Sequence, residues 1–180
     1  KKDLLDIYEE KWKSEGYESK KQEKRRYEAG REALKLYFEE FYSADERPVW
    51  LEGRFKVDVG DVRLNGVVDR LDEVKGGFEV IDYKTGRIPR NRGDLKKDLQ
   101  LPIYAMAVEQ LKGKPVRKTS YIYLEAGEKI SMEVDDGMKE TAKKDICDVV
   151  DEIKKLRFPA TPGMLCKFCD YRNVCDYALL

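Results

Sequence analysis

The sequence lacks a long hydrophobic run, a secretory leader and a net charge. No apolar stretch approaches the roughly 20 residues that a membrane-spanning helix needs, and no basic, apolar and small-residue leader is present at the N-terminus. We therefore expect a cytoplasmic protein with no membrane partner. The 36 basic and 36 acidic residues cancel, so the charge of the whole chain argues neither for nor against a nucleic-acid partner.

The order of hydrophobic patterns predicts an α+β protein with a mixed sheet flanked by helices. Apolar residues at helical spacing predict two helices within residues 2–42, on either side of Gly16. Alternating runs predict a three-stranded antiparallel meander and two further strands, at 49–59, 62–74, 78–85, 118–124 and 129–134. Further helices are predicted over 95–111, where Pro102 suits a start or a kink, and over 138–153.

The chain length of 180 residues suits one compact domain with small appendages. We divide it into an N-terminal helical segment at 1–45, a core at 46–158 and a Cys-rich tail at 159–180. The first residue is Lys1 and not Met. We therefore expect a piece of a longer protein.

Two acidic strand positions are predicted to face each other. Side chains alternate along a strand, so Asp82 and Lys84 lie on the same side. A two-residue turn at Lys75-Gly76 gives pairs whose numbers sum to 151, as 75 and 76 do, which places Asp69 opposite Asp82. Facing carboxylates repel each other unless a cation lies between them. Carboxylate oxygens suit Mg²⁺ or Mn²⁺, so the pattern indicates metal-assisted phosphodiester hydrolysis, with Lys84 holding the attacking water or stabilising phosphate charge.

An Asp-x-Lys pair on a strand is also common as a surface salt bridge. The apolar residues around Asp82 and around Asp69 favour the metal site, because a solvent-facing strand would show polar alternation. Asp72 and Glu52 are interpreted either as neighbours of the site or as surface residues.

Two basic clusters are candidates for contact with nucleic acid. The first cluster comprises Lys20, Lys21, Lys24, Arg25 and Arg26. Glutamates are interleaved with these residues, which favours a solvated helix face. The second is less diluted by acids and comprises Arg87, Arg90, Arg92, Lys96 and Lys97.

Three cysteines near the C-terminus are spaced C-x2-C-x5-C, at Cys166, Cys169 and Cys175. Thiolates at this spacing suit iron–sulfur or zinc ligation. Cys147 lies beside the apolar stripe of the last helix, so it is interpreted as a small core residue, with fourth metal ligand as the alternative.

Four motifs together resemble the RecB-like branch of the PD-(D/E)xK nucleases over residues 49–177. They are Gly66-x-x-Asp69-Arg-x-Asp72, Asp82-Tyr-Lys84-Thr-Gly86, Gln100-x-x-x-Tyr104 and the cysteine tail, which looks like the iron–sulfur motif of AddB-type and CRISPR-associated members. The resemblance implies a restriction-endonuclease-like core. It also implies metal ligands at Asp69, Asp82 and the Tyr83 carbonyl, Lys84 as the catalytic lysine, and a 4Fe-4S cluster in the full-length parent.

Gln100 and Tyr104 carry the helix motif of that family. Residues four apart share one helix face, where an amide and a phenol orient DNA or the active site. Core packing is the alternative for Tyr104.

The chain departs from the family at two points. Family members usually carry a histidine metal ligand in a helix before the sheet, and this chain contains no histidine. Their fourth cluster cysteine normally precedes the core, and no cysteine here precedes Cys147. Both absences fit a chain that begins downstream of these elements and equally fit a degenerate member. We expect weak or undetectable cleavage by residues 1–180 alone, with activity restored when the upstream segment is added back.

The leading hypothesis is a metal-dependent DNA nuclease that forms the exonuclease module of a DNA end-processing helicase–nuclease, fused to or in complex with a helicase. A stand-alone CRISPR-associated exonuclease is the related alternative. The other class is a non-catalytic DNA-binding or scaffolding module. Retention of Asp69, Asp82 and Lys84 argues against that class, and the missing histidine argues for it.

Overall fold

Two helices precede the sheet in the structure, a computed structural model that describes residues 1–43, 48–87, 89, 92–95 and 98–178. Helix α1 spans Lys2–Lys11 and helix α2 spans Lys20–Glu40. Gly16 between them has a φ of 88°, a left-handed conformation that glycine adopts without strain. The Ser19 side chain accepts a hydrogen bond from the Gln22 N–H and caps α2. The predicted helix pair and its break are confirmed.

Five strands form one mixed sheet in the order β1-β2-β3-β4-β5. They are β1 Pro48–Val59, β2 Val62–Val74, β3 Gly77–Lys84, β4 Val116–Tyr123 and β5 Glu128–Met132. The β1-β2-β3 meander is antiparallel as predicted, and β4 runs parallel to β3. A parallel neighbour requires a crossover connection, and this crossover contains the helix that covers the sheet.

The crossover holds a short helix, α3 Arg92–Leu95, followed by α4 Gln100–Lys112. The sequence predicted a single helix from residue 95, but the helix proper begins at Gln100. Asp98 accepts a hydrogen bond from the Gln100 N–H at 2.7 Å, which satisfies one of the backbone donors at the helix start. Pro102 lies in that first turn, where its missing N–H costs nothing, so it marks a start and not a kink.

Helix α4 packs against the sheet through buried apolar side chains. Leu101, Ala105 and Val108 are fully buried, as are Val68 and Val80 of the sheet. Each buried branched side chain contributes about 1.5–3 kcal/mol relative to exposure. This packing sets the position of the α4 face that carries Gln100.

The described chain falls into two units, Lys1–Lys143 and Lys144–Leu180. The first contains α1 to α4 and the whole sheet. Helix α5 spans Asp136–Lys154 and crosses the division, and a short 3-10 helix spans Met164–Phe168. The predicted fold class, α+β with a mixed sheet flanked by helices, is confirmed. The segment boundaries at 45/46 and 158/159 stay predictions, and residue 46 lies outside the described residues.

Candidate active site

The β2–β3 hairpin has the predicted register. Arg70 pairs with Ile81 and Leu71 pairs with Val80, and in both pairs the residue numbers sum to 151. One step beyond the last of these pairs, the same register brings Asp69 opposite Asp82.

The strands part at this point and the Asp69 carboxylate occupies the opening. The Tyr83 N–H donates a hydrogen bond to Oδ2 of Asp69 at 2.9 Å. The Lys84 carbonyl accepts from the Leu124 N–H at 2.8 Å, on the β4 side of the strand. Successive backbone groups of a strand point to opposite sides. The Tyr83 carbonyl therefore points toward β2, where Asp69 lies.

Strand β1 is also irregular beside Asp69. Glu52 lies between the paired residues Leu51 and Gly53, which face Arg70 and Val68, so it stands opposite Asp69. Its φ of 49° is left-handed, a conformation that costs a non-glycine residue about 1 kcal/mol or more. The Glu52 side chain itself is exposed.

The Asp82 carboxylate is buried, with 3% of its surface exposed. Its Oδ2 accepts no hydrogen bond within the described part of the chain. The Lys84 ammonium lies 2.7 Å from this oxygen and forms an ion pair with it. Burial raises the pKa of Asp82, the contact with Lys84 lowers it, and the charges of Asp69 and Asp98 raise it, so that the net pKa is above the ordinary value.

Three groups hold the Lys84 ammonium. Besides the Asp82 ion pair, it donates a hydrogen bond to Oε1 of Gln100 at 2.8 Å and lies 4.7 Å from the centre of the Tyr121 ring. Nε2 of Gln100 donates to the Tyr104 hydroxyl at 2.8 Å. The helix motif predicted from the sequence therefore contacts the lysine directly through its first residue.

Tyr104 combines the two alternatives given for it from the sequence, a polar contact with Gln100 and packing in the core. Its hydroxyl meets Gln100, and its ring packs edge-on against Phe55 with centroids 5.9 Å apart. Burial raises its pKa, the Gln100 hydrogen bond lowers it, and the charges of Asp82, Asp69 and Asp98 raise it, with a net increase.

Sequence reasoning missed Tyr121 and Asp98. Tyr121 is a strand residue in an apolar run, without a local signal that separates it from a core tyrosine. Asp98 precedes α4 as a helix cap, and a capping pattern was the one available signal. Both approach the site only because β4 and α4 fold against β3.

Asp72 lies on the opposite face of β2 from Asp69 and pairs with Arg70. Two contacts, of 2.7 and 2.8 Å, join the Arg70 guanidinium to the carboxylate. Arg70 also donates to the Tyr37 hydroxyl of α2 at 3.4 Å, and Tyr37 meets the Tyr83 hydroxyl at 3.0 Å. This second network fastens α2 to the strand that carries Asp82.

A family model described as the PD-(D/E)XK nuclease superfamily matches residues 1–176. The chain belongs to the PD-(D/E)XK nuclease superfamily. It is 28% identical over 174 residues to the Gene 69 protein of Mycobacterium phage D29, covering 88% of this chain and 62% of that protein. The alignment to an ATP-dependent helicase/nuclease subunit from Pelotomaculum thermopropionicum has 41% identity over 66 residues, 35% of this chain and 5% of the relative.

Among solved structures, the crystal structure of a putative exonuclease from Eubacterium rectale aligns with a TM-score of 0.49 and 14% identity, covering 97% of this chain and 68% of that chain. The chain spans less than two thirds of the length of both curated relatives named above.

The superfamily's metal site can be tested against these residues. No group of three or more His, Cys, Asp or Glu side chains in the described ranges is arranged to hold a metal ion. Two carboxylates, Asp69 and Asp82, and the Tyr83 carbonyl are the oxygen donors at the parted strands. A buried carboxylate oxygen without a hydrogen bond is the donor that a hard cation satisfies, so the residues present fit Mg²⁺ or Mn²⁺.

The first basic cluster is a solvated helix face, as its glutamates predicted. Lys20 pairs with Glu23 and Lys24 pairs with Glu28 along α2. In the second cluster, Arg87 pairs with Glu125 at 2.6 Å. Arg90, Lys96 and Lys97, and the side chain of Arg92, lie outside the described residues.

The tail cysteines lie in the second unit, and none of the three is in a disulfide bond within the described residues. Cys166 accepts a hydrogen bond from the Gly163 N–H at 3.3 Å, while Cys169 and Cys175 are exposed. The structure does not gather them into a metal-binding group. Cys147 is a half-buried free thiol on α5.

None of the described helices is long and apolar enough to cross a lipid bilayer.

Proposed function

We propose that this protein hydrolyses phosphodiester bonds in DNA with Mg²⁺ or Mn²⁺ held by Asp69, Asp82 and the Tyr83 carbonyl. The observation that carries the proposal is the Asp82 carboxylate, buried without a hydrogen bond on Oδ2 among the described residues and opposite a second carboxylate. The Lys84 ammonium, 2.7 Å from Oδ2, offsets one of the two negative charges. A divalent cation between the carboxylates would offset the remaining repulsion. Family membership supports the nuclease activity.

The side chains divide the reaction between them. A divalent metal held by these residues would supply acidification of a water molecule and neutralisation of charge on the scissile phosphate. Asp69 and Asp82 orient that cation from two strands. The Lys84 ammonium donates hydrogen bonds to the attacking water or to the phosphate oxygen on which negative charge develops. Gln100 holds the ammonium in place at 2.8 Å.

We assign the chain to the RecB-like branch and to a helicase-linked exonuclease module. The order of its motifs supports this assignment, as does the 41% identity over 66 residues to a helicase/nuclease protein.

The test is cleavage of end-labelled single- and double-stranded DNA with Mg²⁺ or Mn²⁺. We expect weak, metal-dependent cleavage by the wild type, because no histidine is available as a further ligand. Asp82→Asn and Lys84→Ala each remove a group used only in the assembled site, so each should lower the rate by about 100-fold or more.

Two exposed turn residues serve as controls, with Asp61→Asn matched to Asp82→Asn and Lys75→Ala matched to Lys84→Ala. Both controls should cleave at the wild-type rate. Undiminished cleavage by Asp82→Asn or Lys84→Ala, with unchanged circular dichroism, would contradict the assigned roles. DNA binding without cleavage in either metal would favour the non-catalytic module.

We also propose that Cys166, Cys169 and Cys175 bind a metal, a 4Fe-4S cluster in the first instance, with a fourth ligand from outside this chain or from Cys147. The C-x2-C-x5-C spacing supports the proposal. The N–H···S contact at Cys166 is of the kind that stabilises metal thiolates. Because the thiols are not gathered in the structure, binding must order the tail.

A further inference from the structure

Tyr121 is a buried residue of the active-site face that the superfamily motifs do not include. It lies on β4, where it pairs with Asp82 across the parallel ladder, and none of its surface is exposed. Directly paired residues of neighbouring strands project from the same face. Tyr121 therefore stands beside Asp82 and Lys84.

The Tyr121 side chain contacts both Lys84 and Gln100. The face of its ring lies 4.7 Å from the Lys84 ammonium. Its hydroxyl donates a hydrogen bond to Oε1 of Gln100 at 3.1 Å, the same oxygen that accepts from Lys84. The ring and the hydroxyl thus act on the same lysine, one directly and one through Gln100.

These contacts determine the orientation of the Gln100 amide. Lysine carries only donors, so the amide oxygen must face Lys84, and the Tyr121 hydroxyl donates to that oxygen as well. The amide nitrogen is then left to donate to Tyr104, as observed at 2.8 Å. The Lys84 ammonium and the Tyr121 hydroxyl therefore hold Oε1 of Gln100 together.

A lysine side chain loses rotamer entropy when it is held in one conformation. A partly desolvated ammonium over an aromatic face gains a free energy of comparable size. The ion pair with Asp82, at 2.7 Å, would by itself draw the ammonium onto the carboxylate and away from a phosphate. The Tyr121 ring adds a second attraction on the ammonium, with its centre 4.7 Å from the nitrogen.

We propose that Tyr121 is a positioning residue that holds the Lys84 ammonium between Asp82 and Gln100, ready to meet the scissile phosphate. The proposal rests on the nuclease function proposed above for its effect on rate. The effect on the position of Lys84 is independent of catalysis.

The rate experiment compares Tyr121→Leu, which removes ring and hydroxyl, with Tyr121→Phe, which keeps the ring. Ile122→Val is the control, because Ile122 is 2% exposed on the other face of the same strand. We expect Tyr121→Leu to lower kcat by about 10- to 100-fold, since small misplacements of a catalytic group cost that much. The KM for DNA and the metal concentration for half-maximal rate should stay unchanged. Tyr121→Phe should stay within about threefold of the wild type, because it keeps the ring contact.

The position experiment uses lysine side-chain NMR without DNA. A ring 4.7 Å from the ammonium shifts the Lys84 methylene resonances upfield, and Lys84→Ala assigns them by their loss. In Tyr121→Leu they should move to ordinary lysine values, while in Tyr121→Phe and Ile122→Val they should stay shifted.

The two experiments separate the two proposals. A wild type that does not cleave, with Lys84 resonances shifted by Tyr121, overturns the nuclease function and leaves the positioning in place. Unshifted Lys84 resonances in the wild type, or a kcat of Tyr121→Leu within twofold of an active wild type, overturn the role of Tyr121. Equal losses in Tyr121→Leu and Ile122→Val also overturn it, because they would reflect only packing.

Discussion

At the scale of single residues, the Asp82 carboxylate combines burial with acidic neighbours. Burial raises its pKa, and the charges of Asp69 and Asp98 add to this increase against the opposing effect of Lys84. The ionised form is thus less favourable in the folded protein than in the unfolded chain. A charge that is unfavourable in the folded state is common at sites for ligands.

We predict that Asp82→Asn stabilises the metal-free protein at pH 7. A carboxyl group whose pKa is raised by folding makes the wild type less stable as the pH rises from the unfolded pKa through the folded one. Each kcal/mol gained raises Tm by about 2–4 °C in a chain of this size. The difference in stability between Asp82→Asn and the wild type should decrease as the pH falls, because the wild-type carboxyl then becomes protonated.

Thermal unfolding in EDTA and in MnCl2 measures both effects. Metal binding to the folded state alone should raise the Tm of the wild type and leave that of Asp82→Asn nearly unchanged. A lower Tm for Asp82→Asn than for the wild type in EDTA at pH 7 would show that the ion pair with Lys84 outweighs the burial of the charge.

At the scale of elements, helix α2 is fastened to strand β3 by a polar network. Arg70 of β2 links Asp72 to Tyr37 of α2, and Tyr37 meets Tyr83 of β3, with rings at 79° and centroids 5.6 Å apart. Tyr83 supplies the carbonyl that points toward Asp69. The helix therefore supports the backbone of the site from the opposite face of the sheet.

The network can be tested by comparing its Arg–Asp ion pair with an exposed Arg–Asp ion pair whose shortest N···O distance is the same. Arg70–Asp72 and Arg63–Asp58 both reach 2.7 Å, with side-chain exposures of 8% and 14% in the first pair and 62% and 55% in the second. Arg70→Met should lower the free energy of unfolding by about 3 kcal/mol, because it leaves the half-buried Asp72 carboxylate without its partner. Arg63→Met should cost less than about 1 kcal/mol. Urea denaturation of both variants provides the measurement, and equal costs would show that the buried network does not anchor α2.

At the scale of the whole molecule, the C-terminal unit has little apolar burial of its own. Leu156, Met164, Phe168 and Val174 are 78–86% exposed. Short segments without a core require a staple such as a metal, and three cysteines with ligand spacing lie within this unit. The cofactor proposal is therefore also a proposal about how this unit is ordered.

We predict visible absorbance from an iron–sulfur cluster in protein purified without oxygen. Replacement of Cys166, Cys169 or Cys175 by Ser should remove the absorbance, because each supplies one thiolate. Cys147→Ser is the matched comparison: unchanged absorbance places the fourth ligand elsewhere, and lost absorbance assigns it to Cys147. Colourless protein with stoichiometric zinc would change the metal to zinc. Protein with neither metal would contradict the proposal.

The sequence alone determined the order of elements, the hairpin register and the candidate carboxylate pair. These features depend on short-range rules: alternation along a strand, the length of a tight turn and helical spacing. The turn at Lys75-Gly76 and the alternation of β3 were sufficient to place Asp69 opposite Asp82. The predicted start of α4 was wrong by five residues, because the helix begins next to Asp98, which accepts a hydrogen bond from the Gln100 N–H, and not at the first residue of the apolar stripe.

Only the tertiary structure decided what surrounds Lys84. Tyr121 reaches it because β4 returns parallel to β3 after a crossover, and Gln100 reaches it because α4 packs over the sheet. Such contacts join residues 16 or more positions apart, which no local periodicity encodes. The parting of β2 from β3, which turns the Asp69 carboxylate and the Tyr83 carbonyl toward one point, likewise depends on the packing of three strands and not on the pattern of any one of them.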